Sequence, residues 1–292
     1  MRVCIVKNNS NSKAVEASLL LCSYFEKMGI AYECVDLRDD PYPFECDFDM
    51  VISLGGDGTI IRCARFIGYA GVPLLSANFG HLGFMANNAP DGIIDLVSKA
   101  LADEASVEMH TNLRIDVICE GEDEDALLSG NGEVSKDLSP ASRSFFALNE
   151  IVVSRGNSAR ILEGDVKISG KDLFTIRGDG IIVSSATGSS GYALSAGGPL
   201  ISPDFEGLAV VQLAPHSLNA RSVLTGQNDI IEIDVAEMAS TRYPATIDID
   251  GDRIPFEKPI SKILVRRGDE PTKMLRFEEG LFFKRAAQTF FK

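Results

Sequence analysis

Side chains able to do chemistry gather most densely at Gly55-Gly56-Asp57-Gly58-Thr59, with Arg62 three residues on, straight after the apolar run Met50–Leu54. Glycines at a strand-to-helix turn let the backbone approach a bulky anion, and the N–H groups at the helix start can bind it. Asp57 is unexpected in a simple phosphate cradle, because a bare carboxylate repels phosphate. It fits as a metal ligand or as a base that takes the proton of a hydroxyl attacking the phosphate. The plainer alternative is a helix-capping Asp in an ordinary glycine turn.

Four further segments stand out. Asn149-Glu150 ends the apolar run Phe145–Leu148 and pairs a carboxamide with a carboxylate, suited to a purine edge or ribose hydroxyls. The stretch from Arg177 to Pro199 is a strand opening into small and hydroxylated residues, which let a flat ligand lie near backbone, with Tyr192 available to stack on a base. A close-packed serine-rich turn explains the same residues equally well. Ala214-Pro215-His216-Ser217-Leu218, with Arg221, offers His216 as a ligand contact or a structural histidine. Asp248-Ile249-Asp250-Gly251-Asp252 lacks the spacing of a calcium loop and reads as a hairpin turn. Neither GxxxxGK[ST] nor GxGxxG occurs, and there is no GxSxG elbow.

The elements that must carry these residues follow from periodicity. Strands are expected at Val3–Val6, Ala31–Leu37, Met50–Leu54 and Val72–Ala77, with helices at Asn11–Met28, after Thr59, and at Asp91–Leu101. This alternation predicts an α/β domain over 1–103 with a Rossmann-like parallel sheet, and ligands bind beyond the carboxyl ends of such strands. From residue 104 to 275 the pattern turns mostly β, with strands expected at 107–119, 145–155, 161–169, 173–184, 208–214, 229–235 and 245–250. Residues 120–144 interrupt it as an acidic, small-residue excursion that reads as a solvated loop. The apolar tail, about 276–292, predicts a terminal helix that docks on the first domain or at a subunit contact.

A length of 292 residues suits two domains or one large one. The six cysteines (4, 22, 34, 46, 63 and 119) show no CxxC spacing, and His81, His110 and His216 form no ligand motif. A net charge of −14 disfavours nucleic acid and anionic membranes as partners. Any phosphate site must then rely on glycine amides, a few arginines and a divalent cation. No apolar stretch reaches membrane-helix length, and the start of the chain lacks a signal-peptide pattern, so a cytoplasmic location is expected.

Taken together, the segments resemble the NAD kinase family: GGDGT at Gly55–Thr59, the Asn149-Glu150 pair, the glycine-rich motif from Gly178 to Pro199, then PHSL and the Asp250-Gly251 turn in the same order. GGDGT alone is shared with diacylglycerol and sphingosine-type lipid kinases; the later motifs separate them. The resemblance implies a two-domain enzyme with its active site in the interdomain cleft. It would move the γ-phosphoryl of ATP to the 2′-hydroxyl of the adenosine ribose of NAD with a divalent metal (Mg or Mn) carried by ATP. Asp57 would be the base, and Gly55, Gly56, Gly58, Thr59 and Arg62 would hold donor phosphates. Asn149 and Glu150 would contact the NAD, with Arg160 and Arg177 near phosphates, Arg177 reaching them from a neighbouring subunit. Asp179 would bond the nicotinamide or adenine end. Phe84, Thr187, Ser190, Gly191, Tyr192, Ala193, Leu194, Ser195 and Asp252 complete the implied nucleotide-binding set. It further implies a homodimer or homotetramer. Departures are Ala186 for the usual proline, Gly191 for alanine, Asp252 for glutamine, and Ser222 for the proline after Arg221. The alternatives are a lipid or other small-alcohol kinase sharing the GGDGT turn, and a non-catalytic dinucleotide sensor.

Overall fold

In the computed structural model, which describes residues 1–37, 46–80, 83–89, 91–123, 138–139, 141–157, 160–235, 244–278 and 280–291, the chain visits one unit, builds a second, and returns to the first. It runs through β1 (Arg2–Lys7), α1 (Ser12–Met28), β2 (Ala31–Val35), β3 (Met50–Gly55), α2 (Asp57–Ile67), β4 (Leu74–Asn78), α3 (Ile93–Leu101) and β5 (Ser106–His110). Next come β6 (Leu113–Cys119), β7 (Ser144–Ala147), β8 (Glu150–Ser154), β9 (Leu162–Ile168), β10 (Lys171–Gly178) and β11 (Gly180–Ser184). After a 3₁₀ turn at Gly188–Ser190 follow α4 (Tyr192–Ser195), β12 (Ala209–Leu213), β13 (Val223–Leu224), β14 (Ile231–Asp234), β15 (Thr246–Ile249), β16 (Asp252–Ile254) and β17 (Ile260–Arg267). The path ends with β18 (Thr272–Arg276) and α5 (Leu281–Phe290). Residues 1–110 and 270–292 form the first unit, and 111–269 the second.

The first unit is a six-stranded sheet in the order β2-β1-β3-β4-β18-β5, parallel throughout except where β5 runs against β18. All six residues of β3 are buried, as a strand covered on both faces requires. Asn11 caps α1 by accepting from the N–H groups of Lys13 and Ala14, and Ala14, Ala17, Leu21 and Phe25 form its buried stripe. That stripe and Leu96 and Val97 of α3 cover Val3, Ile5, Ile52 and Leu54. α2 takes the opposite face, where Cys63 lies beside Ser53 and Cys4.

The second unit is a sandwich of two six-stranded antiparallel sheets, β10-β9-β14-β17-β6-β7 and β13-β12-β11-β8-β15-β16. Alternate residues of both sheets (Ile115, Val117, Ile151, Val153, Ile181, Val183, Ile231, Ile233, Ile263, Val265) share one core. β8, β11 and β12 also bury their other side, where Val152, Ile182 and Val211 meet Ala186, Ala193 and Ile201.

Three long predicted strands are each two. The run at 107–119 breaks at Thr111-Asn112, between the two units, and 145–155 breaks at Leu148-Asn149. The run at 173–184 breaks at Asp179, and in all three cases the halves join different sheets. β13, β16, β17 and β18 have no counterpart among the predicted strands. Residues 38–45 and most of the expected loop at 120–144 lie outside the described residues, as do His81 and Leu82. No helix among the described residues is long and apolar enough to cross a membrane.

Candidate active site

In the first unit, β3 ends at Gly55, Gly56 is the extended N-cap, and Asp57 is the first residue of α2. A carboxylate here lies at the positive end of the helix dipole. Oδ2 of Asp57 accepts the N–H of Phe84 at 2.9 Å, and Oδ1 accepts that of Met85 at 3.3 Å. Gly83 makes this possible: a Cβ there would stand 2.3 Å from Oδ1 and 2.5 Å from Cγ of Asp57. Gly58 is exposed and Thr59 buried, while Arg62 donates to the Gly58 carbonyl at 3.2 Å across one helical turn. The Phe84 ring stacks on Phe290 of α5 at 5.4 Å.

In the second unit, Leu148-Asn149 is where the chain leaves one sheet for the other. The crossing strips three N–H groups of ladder partners, and Asp250 takes all three. Its carboxylate accepts from Leu148 at 2.8 Å, Asn149 at 2.8 Å and Glu150 at 3.1 Å. Asp250 and Gly251 both have positive φ (49° and 85°), a two-residue turn of the primed type between β15 and β16. The Asn149 carbonyl accepts from the Ser185 N–H at 2.8 Å, and a Cβ on Gly188 would stand 2.4 Å from it. This stacks the Gly188–Ser190 turn directly on the Asn149-Glu150 step.

The result is an unsatisfied pair. Oδ1 of Asn149 and Oε2 of Glu150 are buried without a hydrogen-bond partner. Burial, with the Asp250 charge adding to it, pushes the Glu150 carboxyl up to about 8. Buried polar atoms are nearly always bonded, so two adjacent orphans mark a place for ligand groups. A Cβ on Gly191 would lie 3.7 Å from that Oε2, so the glycine that replaces the usual alanine leaves extra room beside it. Thr187 is buried and Ser190 half-buried; Tyr192 is 46% exposed, Ala193 packs into the core, and Leu194 and Ser195 line the surface beyond.

The remaining predicted residues sit elsewhere in the second unit. Asp179, at the second sheet crossing, accepts from Arg155 Nε at 2.7 Å. Arg177 is exposed on β10 and paired across the ladder with Glu163 at 3.1 Å. Arg160 and His216 are exposed, the latter donating its backbone N–H to the Arg177 carbonyl. Asp252 opens β16, two residues past Asp250.

Family models for the ATP-NAD kinase N-terminal domain and C-terminal domain match residues 6–105 and 148–277. An NAD kinase of Bacteroides fragilis is 32% identical over 237 residues, 81% of this chain and 74% of that protein. This chain belongs to the ATP-NAD kinase family. An NAD kinase of Lachnoclostridium phytofermentans is 29% identical across 97% of the chain and 96% of its own length. The crystal structure of yeast NADH kinase complexed with NADH shares the fold, with a TM-score of 0.80 at 19% identity, covering all of this chain and 87% of that one.

Several residues of this ATP-NAD kinase chain that hold the site together carried no chemical signal in the sequence. Asp250 reads as a hairpin turn and as part of the family's motif order, with nothing to show that its carboxylate holds the N–H groups of Leu148, Asn149 and Glu150. Arg155 and Gly83 had none. Arg276 and Arg285, which bond the carbonyls of Met85 and Ala86, lie about 190 to 200 residues from the segment they hold.

Proposed function

We propose that this chain transfers the γ-phosphoryl group of ATP to the 2′-hydroxyl of the adenosine ribose of NAD, giving NADP and ADP. The observation that carries the reading is the Asp57 carboxylate, fixed at the head of α2 beside the glycine pair in a chain of this family. As the hydroxyl oxygen bonds to the γ-phosphorus, the bond from phosphorus to the bridging oxygen of ADP breaks. The hydroxyl proton passes to Asp57. The first-turn N–H groups of α2 and Arg62 would hold donor phosphates. Asn149 and Glu150 would bind the NAD, their orphaned oxygens meeting its hydrogen-bonding groups, with Thr187, Ser190, Gly191 and Tyr192 alongside.

Among the described residues no group of three or more His, Cys, Asp or Glu side chains could cage a metal ion. The reading takes the divalent cation, Mg or Mn, to arrive on the phosphates of ATP and to keep most of its ligands there or in water. Bound so, it would neutralise charge on the transferring group. The reading extends to a cytoplasmic homodimer or homotetramer, in which Arg177, exposed on β10 and paired with Glu163, would reach a second copy. Retention of Asp57 speaks against a non-catalytic sensor, and the two matched domains against a lipid kinase.

The test is NADP formation from NAD, ATP and magnesium, coupled to an NADP-specific dehydrogenase, with Asp57→Asn alongside. Turnover that the variant loses while still binding NAD is expected. Near-normal turnover in Asp57→Asn would remove the base assignment, and NAD binding without turnover by any phosphoryl donor would favour the sensor.

A further inference from the structure

The first unit holds a buried cation that the reaction above does not use. Arg285, on the inner side of α5, is 2% exposed. Its Nη2 donates to the carbonyl of Ala86, and its Nε and Nη1 are buried with no hydrogen-bond partner. Burial and the neighbouring Arg276 pull its pKa down from the ordinary value, while Asp57, Glu278 and Glu108 push it back up. Arg285 therefore lies within electrostatic reach of Asp57.

What Arg285 holds is the segment that orients Asp57. Phe84 and Met85 donate their N–H groups to the Asp57 carboxylate. The Met85 carbonyl accepts from Arg276 and from Ser76, the Ala86 carbonyl accepts from Arg285, and Asn87 is tied to Ser76 and Leu275. From the same helix as Arg285, Phe290 stacks on the Phe84 ring and Phe282 tilts against it. Residues 84–86 are thus gripped on one side by the carboxylate and on the other by β18 and α5.

Stability alone is a poor reason to keep such an arginine. A buried guanidinium with two unbonded nitrogens costs desolvation that a well-packed apolar side chain would not. Groups that violate packing rules in this way concentrate where function needs them. We infer that Arg285 is a positioning residue for Asp57, acting through the Phe84–Ala86 segment so that the C-terminal helix sets the direction of the base. This rests on Asp57 being the base, as proposed above.

The experiment compares wild type with Arg285→Met, Arg285→Lys and Phe290→Ala by three readouts: thermal midpoint, amide hydrogen exchange at Phe84 and Met85, and steady-state kinetics. Arg285→Met is expected to keep or raise the midpoint while exchange at the two amides accelerates about tenfold or more. Its kcat should fall about 10- to 100-fold with KM for NAD little changed, because the bound geometry of the base and not affinity is lost. Arg285→Lys should recover part of kcat, and Phe290→Ala should show a weaker version of the same pattern. Unchanged exchange at Phe84 and Met85 in Arg285→Met overturns the inference, as does faster exchange with unchanged kcat. A fall in activity that merely tracks a lowered midpoint in all three variants overturns it too. If wild type itself makes no NADP, the catalytic reading fails, and the exchange comparison alone still decides whether Arg285 holds the segment that grips Asp57.

Discussion

Asp57 reaches its position through a contact that tolerates almost no added atom. The Gly83 Cα lies against the carboxylate, which leaves both oxygens directed at the amides of Phe84 and Met85. Gly83→Ala would place a methyl group within 2.5 Å of Oδ1, Cγ and Oδ2, so the short Asp57 side chain must rotate away from those amides. We expect kcat to drop about 10- to 100-fold while KM for NAD changes little, because a misplacement near 1 Å is enough to cost that much in rate. Steady-state kinetics on the variant, with circular dichroism to show the fold retained, checks this. The sequence made Asp57 conspicuous, since a carboxylate in a glycine turn conflicts with simple phosphate binding. It could not mark Gly83, whose importance depends entirely on which side chain packs over it. The same holds for Arg155, which became relevant only when the sheets brought it to Asp179.

At the level of elements, the predicted strands that failed are informative about the site. Runs 145–155 and 173–184 read as single strands because their apolar residues continue past the breaks, yet at Asn149 and Asp179 the chain changes sheet. Period-2 patterning reports which face is buried; it does not report a change of partner strand. The crossing at Asn149 depends on Asp250, so Asp250→Asn should cost about 2–4 kcal/mol in a urea titration, since an amide presents one acceptor oxygen to three donors. NAD binding should weaken with it. Glu150 offers a pH test with a definite sign. Its folded pKa, about 8, stands above the ordinary 4.5. Between those values the unfolded chain has ionised this group while the folded protein keeps the proton, so stability falls as pH rises through the window and levels off above it. The loss is roughly 3–5 kcal/mol, and Glu150→Gln should escape it. Thermal midpoints of the ligand-free proteins at pH 5, 7 and 9 should diverge in favour of the variant; parallel curves would mean that Glu150 titrates normally.

The whole molecule is organised by its return path. Alternation of strands and helices in the first hundred residues was legible and so was the mostly β remainder, because each follows from local periodicity. That β18 belongs to the first sheet was not, since nothing local tells a strand at 272–276 to pair with one at 74–78. β18 enters between β4 and β5, parallel to the former and antiparallel to the latter, so among the described residues β5 has no other partner in that sheet. The second unit, by contrast, is one continuous stretch, 111–269, with its own core drawn from both of its sheets. The two halves should therefore behave differently when cut out. A fragment of residues 111–269 should unfold cooperatively on its own, because every ladder it needs lies within it. A fragment of residues 1–110 lacks the strand that joins β5 to the sheet, as well as Arg276 and Arg285, whose guanidiniums hold the carbonyls beneath Asp57. It should show no cooperative transition, and adding a peptide of residues 270–292 in trans should restore one. Differential scanning calorimetry of the fragments, singly and mixed, reads this directly, and a cooperative transition in residues 1–110 alone would mean that the C-terminal return is dispensable for the first sheet.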